Sequence, residues 1–273
     1  MALNSVNTNL GAMVALQSLN RTSDALDATQ KRISTGYRVA DAKDDGAAFA
    51  VAQAVRADIS GLTAANEQLG GVKGILDSTL AGLKKVSETM SDVRAVLTRL
   101  ADGNISAEQR TQYEGQYTSL VNQITNFVTD ATYNGKTLLG DTTSDVSVVR
   151  NEDGTSYAIA AQSTAALIVA TAAPTSAAGA QAALGATGDF ATVEAAINTA
   201  MNTFGSHNKY IEAQISFNKE KMDAMESGLG ALIDADLAKE SAKLQSLQIR
   251  QQLGTQALGI ANQAPQTLLS LFR

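Results

Sequence analysis

A few residues have the types and spacing that chemistry requires. Gly135-Lys136-Thr137 has the ending of a phosphate-binding loop, in which glycine amides cradle phosphate and the lysine meets its charge. That motif needs a glycine five residues before Gly135, where the chain has Asp130. Asp41, Asp44 and Asp45 cluster around Lys43 and could hold a hard cation. The spacing of a calcium loop is missing, so a solvated helix start is expected. His207 is the single histidine. It lies three residues after Phe204 and four before Ile211, close to an apolar seam and without a recognisable catalytic partner, so a packed, hydrogen-bonded ring is expected. An enzyme built on it would lose its activity in His207→Ala.

The composition closes off further chemistry. With no cysteine among 273 residues, disulfides, thiolate zinc sites, iron–sulfur clusters and cysteine nucleophiles are excluded. One histidine excludes paired-histidine metal sites. No catalytic residue, metal ligand or cofactor is therefore assigned. The formal charge is −6, with no basic block, which argues against nucleic acid and anionic membrane as partners. No run of 18 apolar residues is present to span a bilayer. The first twenty residues lack a basic region ahead of their apolar positions, so they do not read as a cleavable signal, and an extracellular chain would need a signal-independent route.

The elements follow from periodicity. Two prolines and 44% hydrophobic residues, with only 4% aromatic, favour long helices with an aliphatic core. Leu62, Leu69, Leu76, Leu83, Met90 and Leu97 fall seven apart. A second row of Ala65, Val72, Val86, Val93 and Leu100, with Thr79 as its polar member, completes a coiled-coil seam from about Val55 to Leu100. Gly70, Gly71 and Gly74 inside it predict close approach of another backbone. Ser106 to Gln109 reads as a capping box opening a helix with the stripe Tyr113, Tyr117, Leu120, Ile124, Phe127, Ala131, and Asn134-Gly135 breaks the helical pattern. Residues 145–159 read as a hairpin turning at Asn151–Gly154. Residues 160–186, rich in Ala, Ser, Thr and Gly, read as loosely specified surface. After Asp189 as N-cap, Phe190, Ile197, Phe204, Ile211, Met225 and Leu232 resume the seven-residue spacing, with Asn218 as the polar exception.

The two ends differ from ordinary surface helices. Residues 1–20 and 251–272 carry no charged side chain, yet both keep heptad stripes. One stripe is Leu3, Val6, Leu10, Met13, Leu19, Leu26, Ile33; the other is Leu237, Leu244, Leu247, Leu258, Ala261, Leu268, Leu271. Such helices are marginal alone and order on docking. If each docks head-to-tail on another copy without closing a ring, a filament results. Unpaired charge would be costly in that core, whereas amides and hydroxyls can pair with neighbours or water. The predicted fold is mainly α: a long antiparallel helical rod with a small β-hairpin region, its termini paired in a coiled-coil domain. The predicted domains are 1–40 with 234–273, and 41–233 including the variable segment 140–188.

These residues also resemble a known family. The segment from Asn7 through Ala50 carries ISTGYRV and AKDDGAA, and residues 233–272 carry IDADLAKESAKLQSLQIRQQLGTQALGIANQAPQTLLSLF. With TYNGKTLL at 132–139, they resemble bacterial flagellin, and only residues 140–188 or so lie outside the likeness. The resemblance implies an extracellular filament subunit for motility, exported unfolded through the type III apparatus and folded under a cap at the filament tip. It implies self-association, with paralogous flagellins as further neighbours, and contacts with cap and hook-junction proteins. It also implies an export chaperone that covers Leu258, Leu268, Leu269 and Leu271. The short middle implies a thin surface with no embedded enzymatic domain. Thr142, Thr143, Ser144, Ser163, Thr164, Thr171, Thr175 and Ser176 become candidate glycosylation sites. Where strongly recognised flagellins read Q-R-V-R-E-L, this chain has Ser91-Asp92-Val93-Arg94-Ala95-Val96, which implies weak recognition by the animal flagellin receptor. The alternatives are a hook–filament junction protein, or a secreted helical adhesin or effector binding at fixed stoichiometry.

Overall fold

A computed structural model describes residues 8–140 and 145–271, with side chains up to residue 263 at the C-terminal end. Its elements in chain order are α1 (Leu10–Thr35), α2 (Gly46–Leu100), α3 (Ala107–Asp130), β1 (Val146–Val149), β2 (Ser156–Ile159), α4 (Ala177–Leu184), α5 (Asp189–Ile233) and α6 (Leu237–Leu271). The chain divides into two compact units. One comprises the residues up to Ala57 with those from Ala224 onward, and the other is Asp58–Asp223. The division falls inside α2 and α5. In the first unit Val39, Ala48, Ala52 and Ile233 form a small core of their own.

In the first unit α1 and α6 pack antiparallel. Asn9 caps α1 by accepting the Ala12 N–H at 3.0 Å, and its amide donates to the Ala261 carbonyl at 2.7 Å. At the other end Arg32 pairs with Glu240 at 3.2 Å. Gly36, at φ 75°, closes α1 by donating its N–H to the Arg32 carbonyl, a left-handed cap that glycine adopts without strain. The carboxylates of the 41–45 loop are used by Lys31 of α1 and by nearby backbone amides. Lys31 bonds Asp41 at 2.7 Å and Asp44 at 3.1 Å, and its ammonium holds both carboxyls below the usual carboxylate range. Asp45 accepts the Ala47 and Ala48 N–H groups as the cap of α2. Among the described residues no group of carboxylates or histidines could hold a metal.

In the second unit α2 and α5 run antiparallel, joined by Lys73–Glu212 at 2.6 Å, Asn208–Asp77 at 2.6 Å and the Arg94–Glu194 pair. Leu62, Leu69, Leu76, Leu83, Met90 and Leu97 are at most 2% exposed, as are Phe190, Ile197, Phe204 and Ile211. Met225 and Leu232, which belong to the first unit, are only half-buried, and Ile233 takes the buried position instead. Both polar seam residues are satisfied. Thr79 donates to the Ile75 carbonyl at 2.8 Å. Asn218 donates to Asn66 and to the Arg150 carbonyl while accepting from Gln214.

α3 lies along α2, with Tyr117, Val121, Ile124, Val128 and Ala131 buried, while Tyr113, Leu120 and Phe127 pack at the edge. The capping box forms as read: the Gln109 N–H donates to Ser106 Oγ at 3.2 Å, and the Ser106 N–H to Gln109 Oε1 at 3.0 Å. Ser106→Ala should lose about 1 kcal/mol, measurable as a drop of a few degrees in the Tm of the helical signal.

Several expectations are corrected. Residues 160–186 are not loose surface. Leu167, Val169 and Ala180 are buried, and Ser176 caps α4 by accepting the Gly179 N–H. The reason is that the alanine run, which lowers sequence complexity, is also the strongest helix former. Asp189 is the first residue of α5 rather than its cap; the Gly188 carbonyl accepts the Thr192 N–H. α2 begins at Gly46, well before Val55. Gly70 and Gly71 face open space, and Gly74 faces a side chain instead of a backbone: a β-carbon there would come within 2.7 Å of the Tyr133 ring. The close backbone approach occurs at Gly82, where a β-carbon would lie 3.2 Å from the Phe127 carbonyl oxygen and 2.7 Å from the Ala131 β-carbon. Asn134 (φ 49°) and Gly135 (φ 72°) form a tight left-handed turn between Tyr133 and Lys136, so Lys136 belongs to a hairpin turn and not to a phosphate loop.

Candidate functional site

α1 and α6 each carry two apolar stripes. The inner one recurs at heptad spacing: Ala12, Ala15, Leu19, Leu26, Thr29 and Ile33 on α1, and Leu244, Leu247, Gly254, Leu258 and Ala261 on α6 are half-buried or buried. Leu19 packs on Gly254, where a β-carbon would meet its side chain at 3.2 Å. This stripe holds the two helices to each other.

The outer stripe has no partner within the described residues. Leu10, Met13, Val14 and Leu16 on α1 are 48–65% exposed, and Leu237, Ile249, Leu253 and Ile260 on α6 are 50–71% exposed. Leu10, Met13, Val14 and Gln17 edge a shallow hollow of about 400 Å³. The spacing of 10, 13, 14 and 17, and of 249, 253 and 260, keeps each set on one helical face. The sequence merged the two stripes, setting the outward Leu10, Met13 and Leu237 beside the inward Leu19, Leu26, Ile33, Leu244, Leu247, Leu258 and Ala261. Val14, Leu16, Ile249, Leu253 and Ile260 were missed; a second register at the same period was the signal for them. Leu3 and Val6 lie outside the described residues, as do the side chains of Leu268, Leu269 and Leu271 and all of Thr142, Thr143 and Ser144.

The magnitudes say what such a face can do. Covering the remaining exposed area of these eight side chains would yield roughly 7–14 kcal/mol. Association costs about 4–15 kcal/mol in lost freedom. One pairwise contact therefore gains little, and the face is useful where each copy touches several others at once.

His207 sits elsewhere, in the second unit. Its Nδ1 lies 2.6 Å from the Tyr157 hydroxyl, and burial lowers its pKa from the ordinary 6.5. Tyr117, buried and donating to the Ala170 carbonyl at 2.8 Å, has its pKa pushed up to about 12 by burial and by the Asp189 carboxylate. Tyr117 bonds a backbone carbonyl and His207 a phenol, so neither contact supplies a carboxylate hydrogen-bonded for acid–base work.

The class the fold defines is a mainly helical protein whose paired terminal helices leave large apolar side chains exposed among the described residues. The comparisons with known proteins specify it. The bacterial flagellin N-terminal helical region matches residues 6–144, and the bacterial flagellin C-terminal helical region matches residues 190–272. Flagellin FljO of Caulobacter vibrioides is 36% identical over 280 residues, covering 100% of both chains. A flagellin of Brucella melitensis is 34% identical, covering 98% of this chain and 99% of its own. The fold is shared with a putative flagellar hook-associated protein from Vibrio parahaemolyticus, at a TM-score of 0.59 and 15% identity, over 70% of this chain and 100% of that one. The chain belongs to the bacterial flagellin family. It is accordingly a structural subunit of the extracellular flagellar filament and not an enzyme.

Proposed function

We propose that the outer stripes of α1 and α6, together with Leu3, Val6, Leu268 and Leu271 from the heptad rows of the sequence, are the surfaces through which one subunit packs on its neighbours. In this reading residues 1–40 with 234–273 form the filament core, and 41–233 the outer part. The observation that carries it is the set of large exposed aliphatic side chains, six of the eight in the segments 1–20 and 251–272 that carry no charge. Seeding purified monomer with short filament fragments should give long uniform filaments in the pellet by electron microscopy. Monomer that only decorates seed ends would point to a junction protein, and no seed binding at all to a fixed-stoichiometry binder.

An apolar C-terminal segment would need cover before assembly, which supports an export chaperone acting at Leu258, Leu268, Leu269 and Leu271, with cap and hook-junction proteins as later neighbours. Among the glycosylation candidates Ser163, Thr171, Thr175 and Ser176 are exposed, with Ser176 also engaged as the cap of α4. Exposed Asp92 and Ala95 flank buried Val93, and Arg94 is held by Glu194 and lies over Phe190, an arrangement that supports weak engagement by the animal receptor.

A further inference from the structure

Met13 is the one sulfur-bearing residue of α1 and α6. Its side chain is 62% exposed and edges the shallow hollow formed with Leu10, Val14 and Gln17. The other methionines among the described residues are better covered. Met90 is 2% exposed in the core of the second unit, and Met201 packs against that core. The Met222 sulfur accepts the Asn66 amide at 3.9 Å, and Met225 is half-buried. A thioether is oxidised where an oxidant can reach it, and the sulfoxide it becomes is polar and ill suited to an apolar contact. We propose that Met13 is an oxidation site that controls assembly: its sulfoxide leaves the subunit folded but keeps it out of the filament. This site rests on the reading of the outer stripe as the subunit contact, in which Met13 is open in the free chain and covered in the polymer.

The chemistry needs only a peroxide. A lone pair of Met13 Sδ attacks one peroxide oxygen, and the S–O bond forms as the O–O bond breaks. The hydroxide that leaves takes the proton of the transferred oxygen and becomes water. The sulfur loses two electrons and the peroxide gains them; a methionine sulfoxide reductase supplied with a dithiol reverses the change. The fold tolerates the added oxygen because Met13 lies across α1 from the side that meets α6. Asn9 accepts the Ala12 N–H and donates to the Ala261 carbonyl, and a β-carbon at Gly11 would come within 4.0 Å of the Ala261 β-carbon. Met13, two residues and about 200° further round the helix, faces away from that contact. In the free chain the S–O group stays hydrated. In an apolar contact between copies it must shed that water, which costs free energy.

Dilute hydrogen peroxide on the full-length monomer tests this, with peptide mass mapping to locate the sulfoxide and seeded growth to read its effect. Met13 should oxidise at least about fivefold faster than Met90, with the helical circular dichroism unchanged. The chain oxidised at Met13 should need about tenfold more subunit for growth, a factor that corresponds to about 1.4 kcal/mol and lies within the cost of desolvating a polar group. Reductase with a dithiol should restore growth. Met13→Leu keeps the apolar volume and should grow normally before and after peroxide. Met13→Gln places a polar group there without any oxidant and should grow as poorly as the oxidised chain. Oxidation of Met13 no faster than of Met90, unimpaired growth of the chain oxidised at Met13, or equal sensitivity of Met13→Leu would each overturn the proposal. Leu10→Asp separates it from the reading beneath it. Normal growth of that variant would withdraw the outer stripe itself, whereas its arrest beside normal growth of the Met13-oxidised chain would withdraw Met13 alone.

Discussion

Leu253→Asp is expected to stop seeded filament growth while leaving the monomer folded. Leu253 is 58% exposed on the outer face of α6, so no intramolecular packing depends on it. In a dense subunit contact the new carboxylate would be desolvated without a partner, at a cost of several kcal/mol per subunit. Since 1.4 kcal/mol is a factor of ten, the concentration needed for growth should rise about a hundredfold. Pelletable mass after seeding reports this, and helical circular dichroism of the supernatant checks the fold. Leu10→Asp should behave the same way. Leu258→Asp is the instructive contrast: it lies on the inner stripe, so it should loosen the α1–α6 pair as well as assembly. Normal growth of either outer-face variant would show that these stripes are not the contact.

Phe204→Ala is expected to do the reverse, damaging the subunit and sparing the outer stripes. Phe204 is among the largest side chains fully inside the second unit, in a core shared with Leu76, Leu83, Ile124 and Ile197. Truncating a buried phenylalanine removes its transfer free energy and leaves a cavity, together about 3–5 kcal/mol. For a unit of this size that corresponds to a fall of roughly 10 °C in Tm, readable by calorimetry. A loss under about 1 kcal/mol would mean that the α2–α5 seam is not the core.

Most of the helical architecture was legible from spacing. A strict seven-residue recurrence places one face of a helix against a neighbour, and Leu62 through Leu97 and Phe190 through Ile211 are buried for that reason. The hairpin was legible because β-branched residues flank an Asn-to-Gly turn. Two things were not. The Ala-rich segment hides its order, because its buried residues Leu167, Val169 and Ala180, with Ala161, Ile168, Ala173 and Leu184 packed beside them, follow no period that can be read. The terminal helices carry two apolar registers offset by a few residues, and a single heptad count cannot separate a stripe facing within the chain from one facing out. The polar partners of His207 were also invisible, since Tyr157 is 50 positions away and reaches it through a hairpin.

The uncharged outer faces have a further consequence for how the polymer responds to its surroundings. Ionic strength acts by screening charge over distances of about 8–10 Å, and along residues 251–263 and the first turns of α1 there is no charge to screen. Dilution from brine to fresh water should thus leave these contacts nearly unaltered. On the proposed contact their strength would rest on apolar burial, which fades on cooling and persists on warming. A filament held together in that way would be tuned by temperature far more than by the salinity of the water in which it turns.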